Sequence, residues 1–181
     1  MNGTGAASMS TTIEPTVRDA TRYDLPAIVE IYNQSVAAGW STADTEPIEI
    51  ESRIEWFEHH DPERRPLWVA ELDDRVVAWI SLTSWYEGRP AYDATAEVST
   101  YIATDYHRRG MGLFLKQRMI EACPGLGVTT MLSLHFDHNE GTGRINEKLG
   151  FERMGHLEEI ALIAGQPRGL VISGLRIPAP R

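Results

Sequence analysis

From Thr16 onward the chain switches between two hydrophobic periods, and each switch marks an element. Thr16 to Asp19 predicts a short strand. Residues 23–38 place apolar side chains at helical spacing after an Asp24 start, with Pro26 tolerable in the first turn. Residues 47–60 predict a second helix, which Asp61-Pro62 ends. Leu67 to Leu72 and Arg75 to Ser84 read as strands, and the Asp73-Asp74 turn pair between them predicts an antiparallel hairpin. A strand over 94–103, a helix over 110–122, a strand over 129–136, a helix over 142–149 and two last strands complete the pattern. That order is α+β, built around a mixed sheet. Residues 1–14 are small and polar without periodicity and are expected to form a disordered leader.

Composition narrows the classes. At 181 residues the chain can bury a sizeable core and is expected to be one domain. Its net charge of −9 argues against nucleic acid or an anionic membrane as partner, since either wants a basic face. No apolar run approaches the roughly 18 residues of a membrane span, and the first residues lack the charged and apolar regions of a signal peptide, so a cytoplasmic protein is expected. Cys123, the only cysteine, excludes an intramolecular disulfide and a cysteine-rich metal site, and reads as a small buried residue. His59-His60 is a poor chelate, because adjacent helical side chains diverge by about 100°. No metal is expected.

The chemistry concentrates where Glu97-Val98-Ser99-Thr100-Tyr101-Ile102-Ala103 runs into His107-Arg108-Arg109-Gly110-Met111-Gly112-Leu113. A strand, a basic glycine turn and a helix in that order build an anion site: glycines let the backbone approach, free helix N–H groups point outward, and Arg108 and Arg109 add charge. The spacing is neither a Rossmann fingerprint, which needs a third glycine where Leu115 stands, nor a P-loop. A plain turn glycine before a helix packed through Leu113, Leu115, Met119 and Ile120 fits the local pattern too.

The segment resembles the acetyl-CoA motif of the GNAT-type N-acetyltransferases, Arg/Gln-x-x-Gly-x-Gly/Ala after the fourth strand. Asn139 to Phe151 resembles that superfamily's Asn-x-x-Ser/Ala-x-x-x-x-x-Lys-x-Gly-Phe, with Asn139 and Lys148 in the fixed positions. Within the superfamily the chain is similar to the phosphinothricin and methionine-sulfoximine acetyltransferase branch. Val17 to Thr21 with Asp24, Ile31-Tyr32-Asn33, Thr45-Glu46-Pro47, Trp68 to Glu71, and Arg89 to Glu97 carry that likeness.

The resemblance implies one GNAT domain over 15–178, a three-layer α/β/α fold. Its mixed, mostly antiparallel sheet of about seven strands would have splayed strands 4 and 5. The coenzyme arm would enter the gap and bond to the fourth strand as a substitute strand would, near Tyr101, Ile102 and Ala103. Arg108 through Leu113, Met111 included, would hold the pyrophosphate, with Asn139 and Lys148 contributing. Glu97 matches the branch's catalytic glutamate, the base that frees the amine's lone pair. A backbone N–H near Ile102 would hold the oxyanion.

Two positions depart from the superfamily. Asn146 stands where many members have an acidic tyrosine, and asparagine cannot deliver a proton; a thiol with a reference pKa of about 8.5 still leaves without much help. His107 replaces arginine or glutamine, a mild change where backbone amides do much of the binding. Arg89 could pair with a substrate carboxylate, and Tyr92, Trp85 and Trp40 could wall an apolar pocket; a surface arginine and core aromatics fit equally. The branch's His-Gly-x-Trp-His-Asp segment is replaced by Ile163 to Leu170, which points away from phosphinothricin itself. The expected activity is direct acetyl transfer from acetyl-CoA to the α-amine of a small amino acid or analogue, in a possible homodimer. The alternatives are acetylation of a polyamine or other cationic amine, and a catalytically weak acyl-CoA-binding module.

Overall fold

Asp73 and Asp74 take the backbone a two-residue hairpin needs. In the computed structural model, which describes residues 15–178, both have positive φ, 50° and 59°, the mirror-image turn whose twist matches its strands. β2 (Leu67–Leu72) and β3 (Arg75–Ser84) thus pair antiparallel, and β1 (Thr16–Asp19) adds beside β2. β4 (Thr95–Ile102) pairs antiparallel with β3. β5 (Thr130–Phe136), β6 (Glu152–Ile163) and β7 (Gln166–Arg176) complete a seven-stranded sheet of order β1-β2-β3-β4-β5-β7-β6, in which β4–β5 is the parallel junction. The expected leader, residues 1–14, lies outside the described residues.

Helix ends follow local chemistry. α1 (Leu25–Ala38) follows a 3₁₀ turn, carries Pro26 in its first turn and stops at Gly39, whose φ of 67° suits glycine. Ahead of it Asp24, 7 % exposed, accepts from Arg18 Nη1 at 2.7 Å and Nη2 at 2.8 Å, and Arg18 also pairs with Glu71. The helix expected over 47–60 is shorter. It is a 3₁₀ turn, Ile50–Arg53, followed by α2 (Ile54–Glu58). The Asn33 side chain explains the loss: it accepts from Ile48 N at 2.9 Å and donates to Ile48 O at 3.0 Å, so those groups are spent before a helix could use them. α3 is Met111–Ala122. α4 (Glu140–Lys148) begins two residues earlier than expected because the Asn139 carboxamide caps it, accepting from Thr142 N at 3.1 Å.

The strand pleat separates two cores. Ala96 and Val98 turn with Ile80 and Leu82 toward Leu115 and Met119 of α3. Trp79 and Tyr101 turn the other way, onto Ile28, Ile31 and Tyr32 of α1. Trp79 Nε1 donates to Ile28 O at 3.1 Å, fixing helix to sheet. Helices on both faces make the three layers the resemblance implied. Alternation along β4 therefore sends Glu97, Ser99 and Tyr101 to the α1 face, and Val98, Thr100 and Ile102 to the α3 face.

Candidate active site

Parallel pairing between β4 and β5 covers three residue pairs, Thr95–Thr130, Ala96–Met131 and Glu97–Leu132. Beyond them β4 stays with β3 to Ile102 and β5 stays with β7 to Phe136. A cleft opens between, walled by Val98 to Ile102 and by Ser133 to His135. Gly112 and Lys116 of α3, Thr142 and Ile145 of α4 and its cap Asn139 line it as well.

One wall is an unpaired strand edge. Trp85 N donates to Thr95 O at 3.2 Å and Ala103 N to Val77 O at 2.8 Å, so odd-numbered residues of β4 point their main chain at β3. The N–H and C=O groups of Val98, Thr100 and Ile102 face the cleft instead. This differs from the expectation of a main-chain contact at Tyr101 and Ala103: Tyr101 and the Ala103 N–H are turned to β3 and Ala103 O accepts from Tyr106 N at 2.8 Å, whereas Ile102 is turned to the cleft. The His107 ring sits with Nε2 2.8 Å from Ile102 O, occupying the carbonyl at the cleft's mouth. Two buried polar atoms in the walls, Thr100 Oγ1 and His135 Nδ1, have no partner. Such atoms are costly unless a ligand meets them.

At the mouth, the backbone turns left-handed at Arg108 (φ 60°) and at Gly110 (φ 82°) before α3 begins. That conformation points successive N–H groups outward, the nest geometry that suits a phosphate. A Cβ at Gly110 would meet nothing within 4 Å, so the space above it is open. At Gly112 a Cβ would lie 3.1 Å from Ile145 Cδ1 and 3.3 Å from Ile102 Cδ1, so this glycine lets α3, α4 and β4 close around the cleft. Arg108 and Arg109 are exposed, the latter with its guanidinium 5.2 Å from the Tyr106 ring centre. Met111 buries its side chain in the core and Leu113 is half-buried, so these two can offer a ligand mainly their N–H groups.

The lysine at the cleft is not the expected one. Lys148, the motif lysine, ends α4 on its solvent side, outside the cleft's lining. The cleft lies at the N-terminal half of that helix, and the motif lysine is carried past it. Lys116 lies inside, 4 % exposed, donating to Ser133 Oγ at 2.8 Å and to Asn146 Oδ1 at 2.7 Å. Burial pulls its pKa from an ordinary 10.5 down to about 7. Gly112 and Lys116 share a helix face four residues apart, which is the signal the sequence held. Asn139 does line the cleft; its amide also ties down the loop after α1, donating to Ser41 Oγ at 3.2 Å.

On the α1 face, Glu97 is half-buried at the last parallel pair, and burial raises its pKa. Its carboxylate has no hydrogen bond or ion pair among the described residues. Tyr101 stacks on Trp79 (4.5 Å between centres) and leans on Tyr32 (5.0 Å). Arg53, not anticipated from the sequence, places its guanidinium 4.6 Å from the Tyr32 ring centre. The expected substrate residues divide. Trp85, Tyr92 and Arg89 gather around Tyr86 in the β3–β4 loop, beside the end of the sheet that carries Glu97. Trp40 does not join them: its ring packs 5.8 Å from His138, because Gly39 and Ser41 are bonded to the start of α4.

A parallel pair that parts to leave a strand edge, with a helix N-terminus at its mouth, is an arrangement known by comparison. The pattern of the Acetyltransferase (GNAT) family matches residues 25–151. The chain belongs to that family. It is similar to YwnH of Bacillus subtilis (strain 168), a protein named provisionally as a phosphinothricin acetyltransferase, at 43 % identity over 88 % of this chain and 97 % of that one. An L-methionine sulfoximine/L-methionine sulfone acetyltransferase of Pseudomonas aeruginosa is 27 % identical over 91 % of this chain and 96 % of its own. A crystal structure provisionally named as a phosphinothricin N-acetyltransferase superposes with a TM-score of 0.87 at 41 % identity, covering 91 % of this chain and 99 % of that one. As a GNAT member the protein is an acetyl-CoA-dependent N-acetyltransferase.

Its residues fit that donor. The open nest over Gly110 suits a pyrophosphate, the unpaired edge of β4 suits the amides of the pantetheine arm, and the orphaned Thr100 and His135 atoms offer further partners inside the cleft. No cluster of three or more metal-ligating side chains occurs among the described residues. No helix among them is long and apolar enough to cross a membrane.

Proposed function

We propose that the enzyme acetylates the α-amine of a small amino acid or amino-acid analogue, with Glu97 as base. The observation that carries this reading is the cleft itself, whose lining runs from Gly112, two residues past the left-handed turn at Gly110, to Val98, the residue after Glu97. The substrates printed in the names of the Bacillus and Pseudomonas relatives support the amino-acid class. So does Arg89, an exposed guanidinium in the loop over the Glu97 end of the sheet, suited to a bidentate carboxylate contact.

Acetyl-CoA supplies an acetyl thioester. Arg108, Arg109 and the N–H groups from Gly110 to Leu113 hold its phosphates at the mouth, and the Asn139 carboxamide steadies the far wall. Inward-facing N–H groups of β4, with Val98 the one beside the last parallel pair, face the carbonyl oxygen as it gains charge. Glu97 removes the ammonium proton directly or through water; its raised pKa makes it a better base than an exposed carboxylate. Transfer is direct in this reading. Cys123 is fully buried with its thiol pushed up to about 12, so it is no nucleophile. Residues 15–178 act as one domain in a cytoplasmic homodimer, and the exposed Ile160 and Leu162 on edge strand β6, 57 % and 65 % accessible, are the surface that supports pairing.

The test is thiol release from acetyl-CoA against methionine sulfone, methionine sulfoximine, phosphinothricin, ordinary amino acids and spermidine. Turnover confined to carboxylate-bearing amines, lost in Arg89→Ala through KM, is the expected result. Turnover of spermidine alone replaces the reading with a polyamine acetyltransferase.

A further inference from the structure

Lys116 is an expensive residue. A lysine is almost never fully buried unless an acid neutralises it, and this one contacts no carboxylate among the described residues. Its two hydrogen bonds go to neutral oxygens, Ser133 Oγ and Asn146 Oδ1, and Asn146 Nδ2 donates to Ser133 Oγ at 3.1 Å, closing a triangle. The Phe151 ring lies behind, its centre 5.7 Å from Nζ. An ammonium has three N–H groups. Two are spent on the triangle; the third has no hydrogen-bond partner among the described residues, and Lys116 itself lines the cleft.

Position gives that proton a use. Ser133 is the first β5 residue past the last parallel pair, so the triangle sits at the apex where the strands part. A strand-like arm entering past Gly110 and Gly112 runs toward that apex with its thioester leading. Glu97 reaches the apex from the α1 face, and Lys116 and Asn146 reach it from the α3 face, so base and lysine stand on opposite sides of the reacting group.

We propose that Lys116 is the proton donor to the departing coenzyme sulfur, with Ser133 and Asn146 as the residues that position it; this rests on the acetyltransferase reading above. The amine lone pair forms the N–C bond while the C–S bond breaks, leaving its electron pair on sulfur. Glu97, having passed the first ammonium proton on to water, takes the second from nitrogen, and the Lys116 ammonium gives one to sulfur and becomes a neutral amine, which water in the cleft reprotonates. Asn146 thus holds the acid without being it. The titratable groups on the surrounding elements are Glu97 and Tyr101 on β4, His135 on β5, Arg153 on β6, and Glu147 and Lys148, exposed, on α4. Of these His135 couples to Lys116, whose charge helps burial keep that imidazole neutral.

The experiment titrates the thiol of free coenzyme A bound to the full chain, by thiolate ultraviolet absorbance, beside kcat against pH for the wild type, Lys116→Met and Lys116→Arg. In the wild type the bound thiol is expected to ionise at least about one pH unit below free coenzyme, and Lys116→Met is expected to abolish that depression. Lys116→Met lowers kcat about 10²-fold, the small end for a general acid, removes the alkaline limb of kcat and leaves the KM for acetyl-CoA within about twofold. Lys116→Arg keeps the thiol depressed but loses the rate and the limb. Identical thiol titrations in wild type and Lys116→Met, or an unchanged kcat profile, overturn the proposal while leaving the acetyltransferase reading intact. A depressed thiol in an enzyme that turns over no amine of the panel supports the Lys116 assignment and overturns the substrate reading. Should Lys116→Met not fold, an undepressed thiol in the wild type still overturns it.

Discussion

Replacing Lys116 by methionine is expected to change how stability depends on pH. The unfolded chain holds the lysine proton up to the ordinary 10.5, and the folded chain releases it near 7. Between those values the unfolded state binds more protons, so stability rises with pH. At 1.36 kcal/mol per pH unit, the whole cost of folding around the charged form is about 5 kcal/mol, nearly all of it present at pH 6. By pH 9 roughly half has been relieved. Methionine fills a similar volume, carries no charge and pays none of this, though it leaves Ser133 and Asn146 short of a donor, which costs about 1–3 kcal/mol at any pH. The stability difference, Lys116→Met minus wild type, is therefore expected to fall by about 2–3 kcal/mol between pH 6 and pH 9. Urea unfolding of both proteins at four pH values measures it, and the titrating groups other than His135, which feels the Lys116 charge, cancel in the comparison. Parallel curves across that range would refute the argument that this lysine is buried without a compensating charge.

Glu97→Gln should lower kcat by about 10²–10⁴ without loss of acetyl-CoA affinity; because burial raises the carboxyl pKa, the wild-type rate should fall on the acid side as the carboxylate takes up its proton, and the glutamine variant should lack that limb. Gly112→Ala should separate binding from stability: the added methyl crowds Ile145 and Ile102 but gains helix propensity, so urea stability stays within about 1 kcal/mol while calorimetric affinity for acetyl-CoA drops about tenfold. Asp24→Asn should cost about 2 kcal/mol at pH 7, since it weakens two charge-assisted bonds from Arg18. Arg18 holds the Asp24 carboxyl below the ordinary carboxylate range, so this contribution is present above about pH 4 and is lost as pH falls through the lower folded value; wild-type and variant denaturation midpoints should converge there.

Much of the fold was legible because local chemistry and tertiary structure agree. Asp73-Asp74 tolerates the left-handed backbone that its hairpin turn uses, and Gly110 needs a left-handed backbone that few residues tolerate. The second helix was overestimated because its end is decided by Asn33, a partner fifteen residues from Ile48. The strand, glycine turn and helix around the cleft were readable from motif order, whereas the main-chain direction at Tyr101 and Ala103 depends on a pairing register that periodicity does not contain. Lys116 was missed for a related reason. In sequence it is a lysine on an amphipathic helix, the ordinary mark of a solvent face; only the approach of β5 and α4 shows that Ser133 and Asn146 enclose it. Asn146, noted as a lost acid, was the trace of that arrangement.

Three residue pairs hold β1–β4 to β5–β7 across the middle of the sheet. The protein is thus two β-halves joined by a short seam, with α3 as the strap across it. A coenzyme arm bonded along the free edge of β4 would lengthen that seam, so occupancy should tighten the molecule as a whole and slow amide exchange at Val98, Thr100 and Ile102 most. The donor substrate would then act as an eighth strand, present only while the enzyme is charged.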